Sequence, residues 1–248
     1  MLNAVRSLTP LPGGATVLDV ASGPGEPALT IAQSLPTLAV ISTDAQPDMV
    51  AQAQKRATAL SLSNVTCVVA DMTDLSAFQS DSIDIVTCCY GVMFPADKRK
   101  ALSEMHRVLK PGGHVVATHW EQLDLVELGR VVMGAALGLD HAVPLPPDAD
   151  PLSLREPGAF AALATDAGFT VKEEVKSQYP FVLGDDESEQ FDMAMLLFKS
   201  KLDALDAAAH GKARASFAKN IGTFASRSEG EGPLQVPNNV FIMTTLVK

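Results

Sequence analysis

The chain predicts an α/β fold, a doubly wound and mostly parallel sheet, and three observations carry that expectation. Strand-like apolar runs alternate with helix-like segments from residue 16 to residue 119, the pattern of parallel strands joined by crossover helices. The first run, Val17-Leu18-Asp19-Val20, breaks into the turn Ala21-Ser22-Gly23-Pro24-Gly25 and resumes with helical spacing at Ala28 and Leu29. At 248 residues and 47% apolar composition, the chain can bury one large sheet-centred core.

Seven strands are expected, each rich in β-branched or apolar residues: 16–20, 38–43, 65–70, 83–88, 114–119, 169–175 and 240–247. The clearest helix is 97–109, with Leu102, Met105 and Leu109 on one face and Lys110-Pro111-Gly112-Gly113 as its stop signal. Strict alternation fails after His119. Residues 121–150 hold one expected helix followed by the proline-rich run at 144–147, and residues 184–232 hold a second helical block. There Phe191, Met195, Phe198 and Leu202 share one face and Phe217, Ile221 and Phe224 another. A helix at 156–167 ends at Gly168 and leads into the sixth strand. The expected division is a core at 1–120, a helical cap at 121–150 and 184–232, and segments 151–183 and 233–248 that complete the sheet.

Charge and cysteine usage exclude some partners. A net charge of −10 and a pI near 4.9 argue against a surface that tracks nucleic-acid phosphates or anionic lipid. The odd count of three cysteines, all in apolar runs, argues against a secreted disulfide framework and for burial of each thiol. Residues 1–9 lack the apolar core of a signal peptide, and the run 131–139 is too short to span a bilayer, so a cytoplasmic protein is expected. No cysteine or histidine cluster has metal-ligand spacing, and no metal is expected.

Several separated pieces in order carry a resemblance. They are Val17-Leu18-Asp19-Val20-Ala21-Ser22-Gly23-Pro24-Gly25, Asp44 with Pro47-Asp48-Met49, Ala70-Asp71-Met72, Asp84 with Gly91-Val92-Met93-Phe94, and Arg107-Val108-Leu109-Lys110-Pro111-Gly112-Gly113. The chain resembles the class I S-adenosylmethionine-dependent methyltransferases, of the small-molecule type related to the ubiquinone and menaquinone C-methyltransferases. The resemblance implies a Rossmann-like fold, S-adenosylmethionine as cofactor with S-adenosylhomocysteine as product, and transfer to a small organic acceptor whose O, N, C or S atom stays open.

Site residues follow from what that cofactor needs at the strands' carboxyl ends. Asp44, about 20 residues beyond the glycine loop, is spaced to accept both ribose hydroxyls, with Ala45 beside it. Asp71 can accept from the adenine amino group, and Met72 and Met49 can pack on the ring. Asp19 is expected to hold the glycine loop, while Ala21, Ser22, Gly23, Gly25 and Cys88 line the methionine end. Ala21 stands where the family more commonly has glycine, a small residue in ordinary backbone conformation being tolerated there. Asp84, early in the fourth strand, is expected to be structural.

Methyl transfer is an in-line displacement, so holding the nucleophile near attack distance matters most. If the acceptor needs a base, His119, ending the fifth strand, is the candidate, with Tyr90, Phe94, Trp120 and His141 around the acceptor. With only a short stretch ahead of the first strand, either the natural chain is longer or the two helical insertions build the cover alone; their apolar faces could also form a homodimer. Two other readings remain at this level. Gly23, Gly25 and Ala28 also satisfy the GxGxxA dinucleotide fingerprint of an NAD-dependent oxidoreductase, and a catalytically silent S-adenosylmethionine-binding protein would carry the same motifs. Asp19 and segment 107–113 favour the methyltransferase.

Overall fold

In the computed structural model, which describes residues 1–8, 14–145, 150–227 and 233–248, the core is a seven-stranded sheet in the order β3-β2-β1-β4-β5-β10-β6. β1 (Thr16–Val20) pairs in parallel with both β2 (Ala39–Asp44) and β4 (Ile83–Cys89). β3 (Val65–Val69) extends the sheet beyond β2, and β5 (Leu109–Leu123) runs parallel to β4. The reversal of strand order at β1 and β4 places a topological switch point at their carboxyl ends, where ligands bind in open sheets of this kind. The proline-rich run lies partly, and the loop 228–232 wholly, outside the described residues.

The chain divides into two compact units. The first comprises 1–119, 151–176 and 242–248; the second comprises 120–150 and 177–241. In the first, β1, β2 and β4 contribute Val17, Val40 and Ile85 to a cluster with Ala28, Ile31 and Ala32 of α2 (Ala28–Ser34). Val5 of a short N-terminal helix α1 (Leu2–Ser7) joins them, an element the sequence reading did not foresee. α3 (Pro47–Ala59) opens on a proline, which costs nothing at the first helical position because its missing N–H would be unpaired there anyway.

α4 (Lys98–Val108) begins where Asp97 caps the Lys100 N–H at 2.9 Å. It ends one residue before the expected boundary, and Lys110 to Gly113 then form an irregularity in β5 rather than a separate turn, with Gly112 at φ +77°. Asp84 is structural: its carboxylate accepts from the Thr16 N–H at 2.8 Å and pairs with Lys110 at 2.9 Å, tying the start of β1 to that irregularity. Arg107 reaches the carbonyls of Leu75 and Phe78 and pairs with Glu104. α6 (Ala159–Asp166) is shorter than expected because Gly158, at φ +76°, turns the chain just before it. β6 (Thr170–Gln178) and β10 (Asn239–Val247) complete the sheet. Lys248 is held by Gly113 and Gly112 through its backbone and by Asp81 and the Leu109 carbonyl through its ammonium.

The second unit is helical around its own core. α5 (Asp124–Ala136) packs against α9 (Ala207–Phe224), and Leu128, Val132, Phe191, Phe198, Leu202 and Phe217 meet in one cluster. The apolar face at 191–202 is real, but it is shared between α7 (Glu187–Ala194) and α8 (Lys199–Asp203), because the chain leaves helical geometry between them. A three-stranded sheet in the order β7-β9-β8, from Phe181–Gly184, Leu234–Val236 and Ser226–Arg227, was not foreseen. Among the described residues, no helix is long and apolar enough to cross a membrane.

Candidate functional site

The carboxyl ends of β1, β2 and β4 converge on the turn 21–25. Asp44 closes β2 and uses both carboxylate oxygens: Oδ2 accepts from the Gly23 N–H at 2.9 Å and Oδ1 from the Gln46 N–H at 2.9 Å. A carboxylate offers about four lone-pair sites, so about two acceptor positions remain for an incoming pair of hydroxyls. The Gly23 α-carbon, at φ +52°, opens on free space, with nothing within 4 Å of where a side chain would start. Gly25 needs its bare α-carbon for another reason: at φ +108°, a Cβ there would lie 2.7 Å from Leu29 Cδ1.

Below the turn, Asp19 is fully buried. Its Oδ2 accepts from the Ala28 N–H at 3.1 Å, at the start of α2, and its Oδ1 from the Thr87 hydroxyl at 2.6 Å. Burial pushes its pKa up to about 7, against the lowering effect of those two hydrogen bonds, with the nearby Glu26 and Asp44 charges adding to the rise. Thr87 carries no motif, and only its place opposite Asp19 in the β1–β4 pairing marks it. The Ser22 and Ser42 hydroxyls meet at 2.6 Å, the Ser22 N–H donates to the Thr43 carbonyl, and Arg56 of α3 holds the Pro24 carbonyl and Glu26. The loop is thus anchored from three sides.

Ala21 corrects the sequence reading. It takes φ +52°, the left-handed region, rather than the ordinary conformation expected of a non-glycine residue. Tyr90 does the same at φ +54°, its N–H donating to the Thr118 hydroxyl at 3.0 Å. Cys88 is buried, and burial pushes its thiol pKa well up; Cys67 and Cys89 are only partly buried, short of the full burial expected, and both are likewise raised. Met72 is 9% exposed and turned inward, Met49 is half-buried on α3, and Ala45 is exposed. Asp71 is exposed, its Oδ1 accepting from the backbone and hydroxyl of Thr73.

The expected acceptor residues are divided between the two units. Phe94 is 44% exposed, beyond the end of β4, in the first unit with Tyr90. Trp120 belongs to the second unit, 7% exposed and packed on Phe181 and Phe241. His141 also lies in the second unit, exposed and bonded to Asp140 at 2.9 Å, on a cavity of about 730 Å³ between α5 and α9 that Lys212 and Lys219 line. His119 does not end its strand, because β5 runs on to Leu123. Its ring is 4% exposed and lies 5.3 Å from that of Phe160 on α6. At Gly91, which the sequence reading quoted within a motif but did not single out, a Cβ would meet Ala21, Cys88 and Met72. Among the described residues, no group of His, Cys, Asp and Glu could hold a metal ion.

Comparison with known proteins matches this geometry. A family model described as "Methyltransferase domain" matches residues 17–113. The demethylmenaquinone methyltransferase of Thermus thermophilus is 32% identical over 174 residues, covering 64% of this chain and 76% of that protein. The ubiquinone/menaquinone biosynthesis C-methyltransferase of Geotalea daltonii is 36% identical over 115 residues, 46% of this chain and 48% of that one. The chain thus spans about half the length of that relative, as it does of the corresponding enzyme of Geobacter sulfurreducens, at 44%. In fold, it is similar to the YcgJ protein of Bacillus subtilis, at TM-score 0.62 and 21% identity, covering 100% of this chain and 97% of the other. With motif order, sheet topology and a relative matched over three quarters of its length in agreement, the chain belongs to the class I S-adenosylmethionine-dependent methyltransferase family.

Proposed function

We propose that the protein binds S-adenosylmethionine at the turn 21–25 and transfers its methyl group to a small organic acceptor. The observation that carries this reading is Asp44, whose carboxylate fixes the glycine turn and still has acceptor positions free. When bound, the cofactor supplies a methyl carbon already activated by its sulfonium. Asp44 receives the ribose hydroxyls, with Ala45 beside it. Asp71 takes the adenine amino group, and Met49 and Met72 cover the ring with polarisable side chains. Ala21, Ser22, Gly23, Gly25 and Cys88 surround the methionine end, and Asp19 holds that backbone in place from below.

The acceptor side is assigned to Tyr90 and Phe94, with Trp120 and His141 as separate candidates in the second unit; a homodimer through that unit's helices and a cytoplasmic setting belong to the same proposal. The curated relatives are named for C-methylation in quinone biosynthesis, which makes an electron-rich ring carbon the first acceptor to try. Such a carbon loses its proton after attack, and His119 is the base to test by His119→Ala, although its burial against Phe160 favours a packing role.

Calorimetric titration with S-adenosylhomocysteine, using NAD as the control ligand, tests the reading. Micromolar binding of S-adenosylhomocysteine alone is expected. Binding of NAD alone, or of neither, overturns it.

A further inference from the structure

Gly91 follows β4 directly after the left-handed Tyr90, and its α-carbon faces inward. A Cβ built there would lie 2.6 Å from the Ala21 Cβ, 3.0 Å from Cys88 Sγ and 3.4 Å from Met72 Cε. Real side chains do not approach to 2.6 Å, and the two nearest neighbours cannot withdraw easily. The Ala21 methyl is fixed by its backbone, Cys88 is wholly buried on a central strand, and Met72 is turned inward against the same spot. The space above residue 91 therefore holds one methyl group, and in this chain Ala21 supplies it.

The neighbouring backbone explains why this matters for binding. Residue 21 leads directly into the Ser22 and Gly23 N–H groups, which are tied to the Thr43 carbonyl and to the Asp44 carboxylate. Residue 90 is tied to Thr118 on β5. A side chain at 91 would have to move the turn after β1 or the turn after β4, and the first of these carries Gly23 away from Asp44.

Resting on the function proposed above, we propose that Gly91 is a positioning residue of the cofactor site, its bare α-carbon accommodating the Ala21 methyl so that the two turns close on each other. The pair is reciprocal: either position can carry a methyl group, but not both.

The test is a double-variant cycle on the full chain, with S-adenosylhomocysteine affinity measured by calorimetry and folding followed by thermal melting. Gly91→Ala is expected to weaken binding roughly tenfold or more at a temperature where it is folded. Ala21→Gly sets the reference, and the double variant Ala21→Gly with Gly91→Ala should bind within about threefold of it, the loss caused by Gly91→Ala alone no longer appearing. If Gly91→Ala does not fold, recovery of both folding and affinity in the double variant supports the pair. A folded Gly91→Ala that binds like the parent, or a folded double variant that is not rescued, overturns the positioning role and leaves the function standing. A parent protein that does not bind S-adenosylhomocysteine overturns both.

Discussion

The two units differ in what surrounds the residues that the sequence marks as candidates. Around the turn 21–25, Asp19, Asp44 and Asp71 each accept from backbone N–H groups nearby, so every carboxylate is oriented before any ligand arrives. In the second unit, the order comes from apolar packing: Trp120 lies among aromatic rings and His141 faces solvent beside Asp140. The lesson is that recognition of a shared cofactor is written in short polar motifs at strand ends, whereas a unit held by packing advertises no ligand in its sequence.

The largest expected effect sharpens this contrast from the packed side. Phe217 is 2% exposed and meets Phe191 edge-on at 5.5 Å, so Phe217→Ala should destabilise the second unit by about 3–5 kcal/mol in denaturant unfolding. S-adenosylhomocysteine affinity of the folded variant should stay unchanged, and an equal loss there would break the comparison. Asp44→Ala should do the reverse. It removes acceptors for the Gly23 and Gln46 N–H groups and for the ligand, and an affinity loss of about 100-fold, near 2.7 kcal/mol, is expected by calorimetry with only a modest change in melting temperature.

Asp19 gives a pH signature confined to the first unit. Its carboxyl is raised from 3.8 to about 7 by burial, so the protonated form is favoured in the folded state. That contribution is fully present below pH 4 and is lost as the pH rises through about 7. Stability should thus fall by about 2 kcal/mol between pH 5 and pH 8, and the slope should flatten in Asp19→Asn. A parent whose melting temperature is level across that range would show that Asp19 ionises without strain. The smallest effect is Ala21→Gly, which relieves a non-glycine residue at φ +52° and should stabilise by about 0.5–1 kcal/mol, read as a small rise in melting temperature.

Much of the first unit was legible. β1 matches its expected bounds, and β2, β3 and β4 lie within a residue of theirs, because buried parallel strands read as unbroken apolar runs between turn signals. Asp44, Asp19 and the glycines stood out because their spacing is local. Ala21 misled because a left-handed backbone at alanine has no signature in composition; what leaves room for its methyl group is Gly91, some 70 residues away. β5 was cut short at His119 because the polar pair Glu121 and Gln122 interrupts the apolar run before the strand ends at Leu123. The β7-β9-β8 sheet also went unseen: its strands are two to four residues long, and β7 pairs with β9 across some 50 residues of chain. Likewise, Phe191, Met195, Phe198 and Leu202 revealed their common face but not the break between α7 and α8.

The placement of β10 between β5 and β6 governs the order in which the fold can be completed. During synthesis, the strands on either side of its slot are made first, and each waits with an unpaired edge until residues 242–248 arrive. Closing the sheet then requires contacts across about 70 residues of sequence to β6 and more than 100 to β5, the kind that slows folding, and the Lys248 bonds to Gly112, Gly113, Leu109 and Asp81 form only in that step. A nascent chain stopped short of β10 would expose two adhesive edges, which makes that last strand a safeguard against aggregation as well as part of the sheet.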